Sequence, residues 1–167
     1  MEDGTLILND EQIRRKIRRM AHEIYENNYT EKEIILAGIL SQGYQLALLL
    51  AEQLKLISPL EISLVEVSLD KAKPTQASIE LNIEGKSLKN KSIVLVDDVL
   101  NTGKTLAYSL KPFLKVKVKC LEVAVLVNRS HAKFPVSARY SGYELGTTIN
   151  EHVLVQLSEK NLQVFLQ

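Results

Sequence analysis

The chain has 167 residues, 46% hydrophobic and 25% charged, with a formal net charge of +1 at neutral pH. This composition excludes a disordered, collagen-like or low-complexity chain, and the balanced charge excludes a molecule-wide field that would attract nucleic acid or membrane. At this length a chain buries roughly 70% of its unfolded surface, enough for one domain over residues 1–167. Cys120 is the only cysteine and the chain holds three histidines, so neither an internal disulfide nor a zinc cluster is expected. That usage suits a reducing, cytoplasmic setting. The opening Met1-Glu2-Asp3-Gly4 lacks the basic start of a secretory signal. The longest apolar runs, Ile34 to Leu40 and Leu46 to Ala51, fall far short of the roughly 18 residues of a membrane span.

Along the chain, Ile13, Ile17, Met20 and Ile24 recur at helical spacing and predict a helix over 10–28, capped by Asn9 or Asp10. Ile34 to Leu40 reads as a strand buried on both faces. A helix follows from Tyr44 to Leu56, then an alternating strand from Leu60 to Leu69 with Ile62, Leu64 and Val67 inward. Residues 70–76 hold Pro74 and read as a loop, and 77–83 as a second strand; so short a connection predicts an antiparallel hairpin. Ser92 to Val96 is a second fully apolar strand, 97–103 a loop, 102–114 a helix, and Val118 to Val127 another strand. Alternating strands and helices predict an α/β fold with a central, mainly parallel sheet. Ligands of such sheets bind at the carboxyl ends of strands, which points to the segments 38–43, 97–105 and 128–131.

The segment with the most chemistry is Ile93-Val94-Leu95-Val96-Asp97-Asp98-Val99-Leu100-Asn101-Thr102-Gly103-Lys104-Thr105. A buried strand delivers two carboxylates to its end, and a loop of small polar residues enters a helix N-terminus, where free N–H groups and the helix dipole favour an anion. Gly103 lets the backbone approach a phosphate, and Asn101, Thr102 and Thr105 add donors. Carboxylates repel phosphate but accept hydrogen bonds from sugar hydroxyls, so the pattern suits a sugar phosphate. An ATPase phosphate loop would need glycine at position 98, where Asp98 stands, and is rejected.

This stretch resembles the phosphoribosyl pyrophosphate motif of type I phosphoribosyltransferases. The likeness extends to Asn9–Arg15, Met20–Ile24, Ala124–His131 and Val153–Leu157, and narrows to the bifunctional pyrimidine-operon regulators with uracil phosphoribosyltransferase activity. The resemblance implies a type I phosphoribosyltransferase fold, with a flexible antiparallel hairpin and a small hood from the terminal segments. It implies transfer of ribose 5-phosphate from phosphoribosyl pyrophosphate to a nucleobase, uracil giving UMP, with Mg²⁺ held chiefly by substrate oxygens and water. Asp97 and Asp98 would hold the ribose hydroxyls. Val99, Leu100, Asn101, Thr102, Gly103, Lys104 and Thr105 would line the 5-phosphate site, and Ser41, Gln42 and Gly43 the pyrophosphate site. Val127, Asn128 and Arg129 would meet the base. Leader RNA is the further partner implied, together with assembly into dimers or larger homo-oligomers.

Three positions depart from the family pattern. Gln42 stands where a cation is usual. Where the family has Tyr-Arg-Asp-Asp the chain reads Ser68-Leu69-Asp70-Lys71-Ala72-Lys73-Pro74 in a shortened hairpin, with Lys71 or Lys73 the candidate for the arginine's place. Asp-Arg-Gly-His becomes Asn128-Arg129-Ser130-His131. Separately, Arg14, Arg15, Lys16, Arg18 and Arg19 place five cations within six residues. Arg15, Arg18, Arg19 and His22 are candidate RNA contacts, with a solvated or subunit-pairing helix face as the plainer reading. Lys111, Lys115, Lys117 and Lys119 read as a helix end and its loop. Cys120 reads as core, and Tyr140 and Tyr143 as packing residues.

Overall fold

The computed structural model describes residues 4–73 and 78–167. Strand β1 (Thr5–Leu8) leads into helix α1 (Asp10–Asn28). The cap is Asn9: its side chain accepts the Gln12 N–H at 2.9 Å, and Gln12 Oε1 accepts the Asn9 N–H at 2.9 Å. Two orphan donors are thereby satisfied reciprocally. Ile13, Ile17, Met20, Ala21 and Ile24 form the buried stripe. The chain continues through β2 (Glu33–Ile39), α2 (Gln42–Ile57), β3 (Glu61–Ser68) and β4 (Glu80–Leu81), then β5 (Ser92–Leu100), α3 (Lys104–Ser109) and α4 (Lys111–Leu114). It ends with β6 (Cys120–Asn128), β7 (Tyr140–Glu144), β8 (Val153–Ser158) and β9 (Asn161–Leu166).

Six strands form a central sheet in the order β4-β3-β2-β5-β6-β7. Every pairing in it is parallel except β3 with β4. One face packs Leu36, Val94, Val96, Ala124 and Leu126 against α1 and α2. The other packs Ile35, Ala37, Ile93, Leu95 and Val125 against Leu88, Leu106 and Phe113. The terminal segments pair as a separate antiparallel sheet, β1-β9-β8, which is the expected hood. Both faces of the central sheet are covered, which explains the nearly continuous apolar runs of β2 and β5. No helix among the described residues is long and apolar enough to cross a membrane.

Four sequence expectations are corrected. Strand β5 runs through Asp97 and Asp98 to Leu100, because β6 continues to pair alongside it at Val99↔Val127 and Leu100↔Asn128. The helix expected over 102–114 breaks at Leu110, between α3 and α4. Pro112 lacks the N–H that would bond the Tyr108 carbonyl, and it sits in the first turn of α4 instead. Within β3, Val67 faces the layer opposite to Ile62 and Leu64, since both faces of that strand are packed. The expected strand over 77–83 pairs only at Val67↔Leu81 and Ser68↔Glu80. Residues 74–77, which include Pro74 of the expected loop, lie outside the described residues.

Helix α2 lies almost backbone-to-backbone on β2. A Cβ at Gly38 would sit 2.5 Å from Tyr44 Cα and 3.1 Å from Ala47 Cβ. Replacing Gly38 by Ala therefore forces the helix off the sheet beside the 40–43 loop, and a loss of about 1–3 kcal/mol is expected. Urea denaturation of the two proteins measures it; an unchanged midpoint contradicts the close approach.

Candidate functional site

The carboxyl ends of β2, β3, β5 and β6 converge on one side of the sheet. β2 pairs with β5 only as far as Gly38↔Val96. Beyond that point the first turn of α2 closes on β5. A Cβ at Gly43 would lie 2.7 Å from the Val96 carbonyl oxygen, 2.9 Å from Asp97 Cα and 3.1 Å from Asp97 Oδ1. Only glycine fits there. The Asp97 side chain is 3% exposed and that of Asp98 19%. Asp97 Oδ1 accepts the Asp98 N–H at 3.0 Å, and Asp98 Oδ1 accepts the Val99 N–H at 2.9 Å.

Lys71, just past β3, meets this pair. Its ammonium donates to Asp97 Oδ1 at 3.0 Å and lies 3.6 Å from Asp98 Oδ1. Burial, and next the charge of Asp98, push the Asp97 carboxyl up to about 7, while Lys71 opposes both. Burial alone would lower Lys71, but the two carboxylates outweigh it and hold the ammonium above its usual range.

Gly103 adopts φ 85°, a left-handed conformation that favours glycine, immediately before α3. Thr102 Oγ1 accepts the Lys104 N–H at 3.3 Å. A hollow of about 40 Å³ is lined by Asp97 and the run Val99–Leu106, so all the expected 5-phosphate residues surround one small space. On the opposite side, Ser41 precedes α2 without a side-chain cap, and the Leu40–Ser41 peptide is cis. The first-turn N–H groups of α2 are thus without a side-chain acceptor from Ser41. Gln42 does not point freely into this space. Its Oε1 accepts the Leu157 N–H of β8 at 2.8 Å, which ties the loop to the hood.

At the end of β6, Val127 is fully buried. The Arg129 N–H donates to the Leu100 carbonyl at 3.0 Å, and the Asn128 carbonyl accepts the Leu145 N–H at 2.8 Å. These backbone groups are therefore already engaged in pairing. The Arg129 side chain is buried and acts as a strut. It donates to Asn101 Oδ1 at 2.9 Å, Thr147 Oγ1 at 2.9 Å and the Thr148 carbonyl at 3.1 Å, and also to the Glu151 carbonyl. It joins the phosphate loop to the 147–151 segment. The Thr102 carbonyl accepts the N–H groups of Lys133 and Phe134 at 2.8 and 3.1 Å. Between these struts lies a cavity of about 320 Å³, lined by Asn101, Thr102, Arg129–Lys133 and Ile149. His131 faces Thr147 Oγ1 at 3.1 Å. Lys133 and Ile149 were not marked by the sequence. Ile149 is exposed and has no periodic neighbours to signal it.

The cations of α1 divide. Arg14 pairs with Asp10 at 2.7 Å, and Arg15 with Glu11 at 3.7 Å. Arg19 pairs with Glu23 at 2.6 Å and donates to the Ser141 and Gly142 carbonyls at 3.2 and 2.7 Å, fastening α1 to β7. Lys16 lies 4.9 Å from the centre of the Tyr143 ring. Partial burial, then Arg19 and Arg15, lower its pKa. Arg18 and His22 are exposed. Cys120 begins β6 as expected but is exposed rather than core, because it stands at the sheet's amino-terminal rim. Burial, then Glu122, push its thiol up, which does not suit a nucleophile. Tyr140 is buried and donates to Glu122 Oε1 at 3.0 Å, a packing role.

The family profile of the phosphoribosyl transferase domain matches residues 4–160. The chain is 34% identical over 168 residues to the Bifunctional protein PyrR of Bacillus pumilus, covering 95% of this chain and 93% of that protein. It is 34% identical over 169 residues to the Bifunctional protein PyrR of Bacillus subtilis, with the same coverage. The crystal structure of a hypoxanthine phosphoribosyltransferase from Trypanosoma cruzi superposes with a TM-score of 0.79 at 16% identity, over 96% of this chain and 95% of that one, a likeness of fold. The family match over residues 4–160 and the identity over nearly the whole chain show that the chain belongs to the phosphoribosyl transferase domain family, with the PyrR proteins as its relatives.

Proposed function

We propose that the chain transfers the ribose 5-phosphate group of phosphoribosyl pyrophosphate to uracil, giving UMP and pyrophosphate. The observation that carries this reading is the chain of three neighbouring features: the 40 Å³ hollow lined by Asp97, the turn at Gly43 beside that carboxylate, and the 320 Å³ cavity that shares Asn101 and Thr102 with the hollow. The hollow suits the 5-phosphate, the cavity the base, and the open N–H groups of α2 the pyrophosphate. The carboxylates between them suit the ribose hydroxyls.

In the reaction a ring nitrogen of the base forms a bond to C1′ of the ribose as the C1′–oxygen bond to pyrophosphate breaks. The nitrogen's proton passes to solvent. Positive charge develops on the sugar ring, so positioning and electrostatics do most of the work. Asp97 and Asp98 orient the ribose, the 101–105 turn holds its phosphate, and the 41–43 turn receives the departing pyrophosphate. No group of three or more His, Cys, Asp or Glu among the described residues could hold a metal ion, and Lys71 already covers the two carboxylates of the site. This donor set fits Mg²⁺ carried on the phosphate oxygens of the substrate, where it would neutralise leaving-group charge.

Asp97→Asn and Asp98→Asn should each lower pyrophosphate release by on the order of 100-fold, the scale of losing a preorganised electrostatic contact. The assay supplies phosphoribosyl pyrophosphate and Mg²⁺ with uracil, hypoxanthine or guanine in turn. Turnover with a purine base alone overturns the choice of uracil, and undiminished variants overturn the site. Ribose hydroxyls need an ionised acceptor, and Asp97 titrates at about 7. The affinity advantage of the parent protein over Asp97→Asn for phosphoribosyl pyrophosphate should therefore grow as pH rises from 6 to 8. Comparing the two proteins cancels the ionisation of the ligand itself.

A second reading coexists with the first: α1 binds leader RNA of pyrimidine genes. It is favoured by a cavity of about 470 Å³ whose walls include Arg15, Lys16, Arg19 and Tyr143, three cations beside an aromatic ring. Arg19 also fastens α1 to β7, so its replacement weakens the fold as well as any RNA contact. Arg15 and Arg18 make the cleaner test. Replacing both by Glu should abolish salt-sensitive RNA retention while leaving the thermal midpoint within a few degrees. Retention with an unchanged salt slope removes α1 from RNA binding.

A further inference from the structure

Every bond that the two carboxylates accept falls on the same atom of each. Asp97 Oδ1 takes the Lys71 ammonium at 3.0 Å and the Asp98 N–H at 3.0 Å. Asp98 Oδ1 takes the Val99 N–H at 2.9 Å and lies 3.6 Å from the same ammonium. Neither Oδ2 accepts a bond among the described residues. The bonds of the described residues thus hold both Oδ1 atoms, and none of them holds an Oδ2. The ammonium also stands beside the pyrophosphate turn, because Asp97 Oδ1 is 3.1 Å from the Cβ position of Gly43. Gln42 brings no charge to that turn, and its Oε1 is committed to Leu157.

We propose that Lys71 is a positioning residue: it bridges Oδ1 of Asp97 and Asp98 and presents their two Oδ2 atoms as a paired acceptor for the vicinal hydroxyls of a pentose 5-phosphate. The inference rests on the sugar-phosphate reading of the site given above. Two adjacent carboxylates repel one another, and at a buried strand end the repulsion is resolved either by protonating one or by splaying them. A cation shared between them does neither. It offsets part of the repulsion and fixes the separation of the two acceptors, and a rigid cis-diol matches that arrangement better than independent carboxylates do. Lysine serves because its ammonium is a compact point charge that reaches two acceptors at once. Its side chain is 41% exposed and lies at the mouth of the site, so removing it leaves no hole in the core.

Lys71→Met and Lys71→Arg test this, with Asp97→Asn as control. Calorimetry measures binding of phosphoribosyl pyrophosphate, ribose 5-phosphate and 2-deoxyribose 5-phosphate, and thermal melting checks the fold. The parent protein is expected to bind phosphoribosyl pyrophosphate and to prefer the ribose over the deoxyribose phosphate. Lys71→Met should weaken phosphoribosyl pyrophosphate by roughly 10–100-fold, the scale of a charge-assisted contact, and erase the ribose preference at an unchanged thermal midpoint. Lys71→Arg should restore most of both, since a guanidinium can also span two carboxylates. Tighter or equal binding by Lys71→Met, together with loss in Asp97→Asn, overturns the inference and leaves the site reading intact: the ammonium would then compete for the hydroxyl positions. Failure of the parent protein to bind phosphoribosyl pyrophosphate overturns both.

Discussion

Two carboxylates on consecutive residues, at the end of a strand buried on both faces, set the terms for everything around them. Such a pair is costly: each charge loses water and each raises the other. Its retention requires a cation, backbone donors and an opening to solvent on one side only. The structure provides each from a different element. Lys71 comes from beyond β3, the Asp98 and Val99 N–H groups from β5 itself, and the opening from the early end of the β2 pairing at Gly38↔Val96.

The width of that opening is a packing problem, and it is solved with small residues on one side and a buried guanidinium on the other. Gly38 and Gly43 let α2 approach the strands more closely than any Cβ would allow. Arg129 then does for the far side what the glycines do for the near side. Its buried guanidinium is satisfied by oxygens of Asn101, Thr147, Thr148 and Glu151 rather than by a carboxylate, so the charge is stabilised without neutralisation. The 101–105 turn is therefore braced from outside, and a positive charge remains close to it. Short elements suffice because they are cross-linked: α3 has six residues and α4 four.

Much of this was legible in the residues. The amphipathic α1 and the apolar runs of β2, β5 and β6 carry their periods openly, and the order of Asp97 to Thr105 marks the family. What was hidden depended on contacts between distant segments. Gln42 reads as a loop residue until β8 arrives to take its oxygen. The Arg129 side chain gives no sign in sequence of the bonds it makes to the 147–151 segment. The length of β5 was misjudged because polar residues usually end a buried strand, whereas pairing along the β6 edge carries this one four residues further. Cys120 was read as core from its neighbours, yet a strand's first residue lies at the rim. In each case local pattern was overruled by what lay across the sheet.

The placement of cations makes the same point about function. Position 42 looks like a loss, since a neutral amide stands near the leaving group. But charge at a site is a property of space, not of one position in the chain. An ammonium 3.0 Å from Asp97 Oδ1, itself 3.1 Å from the Cβ position of Gly43, supplies positive charge to the same corner from the turn after β3. On α1 the reverse holds: five cations lie together in sequence, yet Arg19 is spent on the carbonyls of β7, Arg14 on Asp10 and Arg15 on Glu11, while Lys16 lies over the Tyr143 ring. Counting charges along the chain thus underestimates the positive charge beside Asp97 and overestimates that left free on the helix.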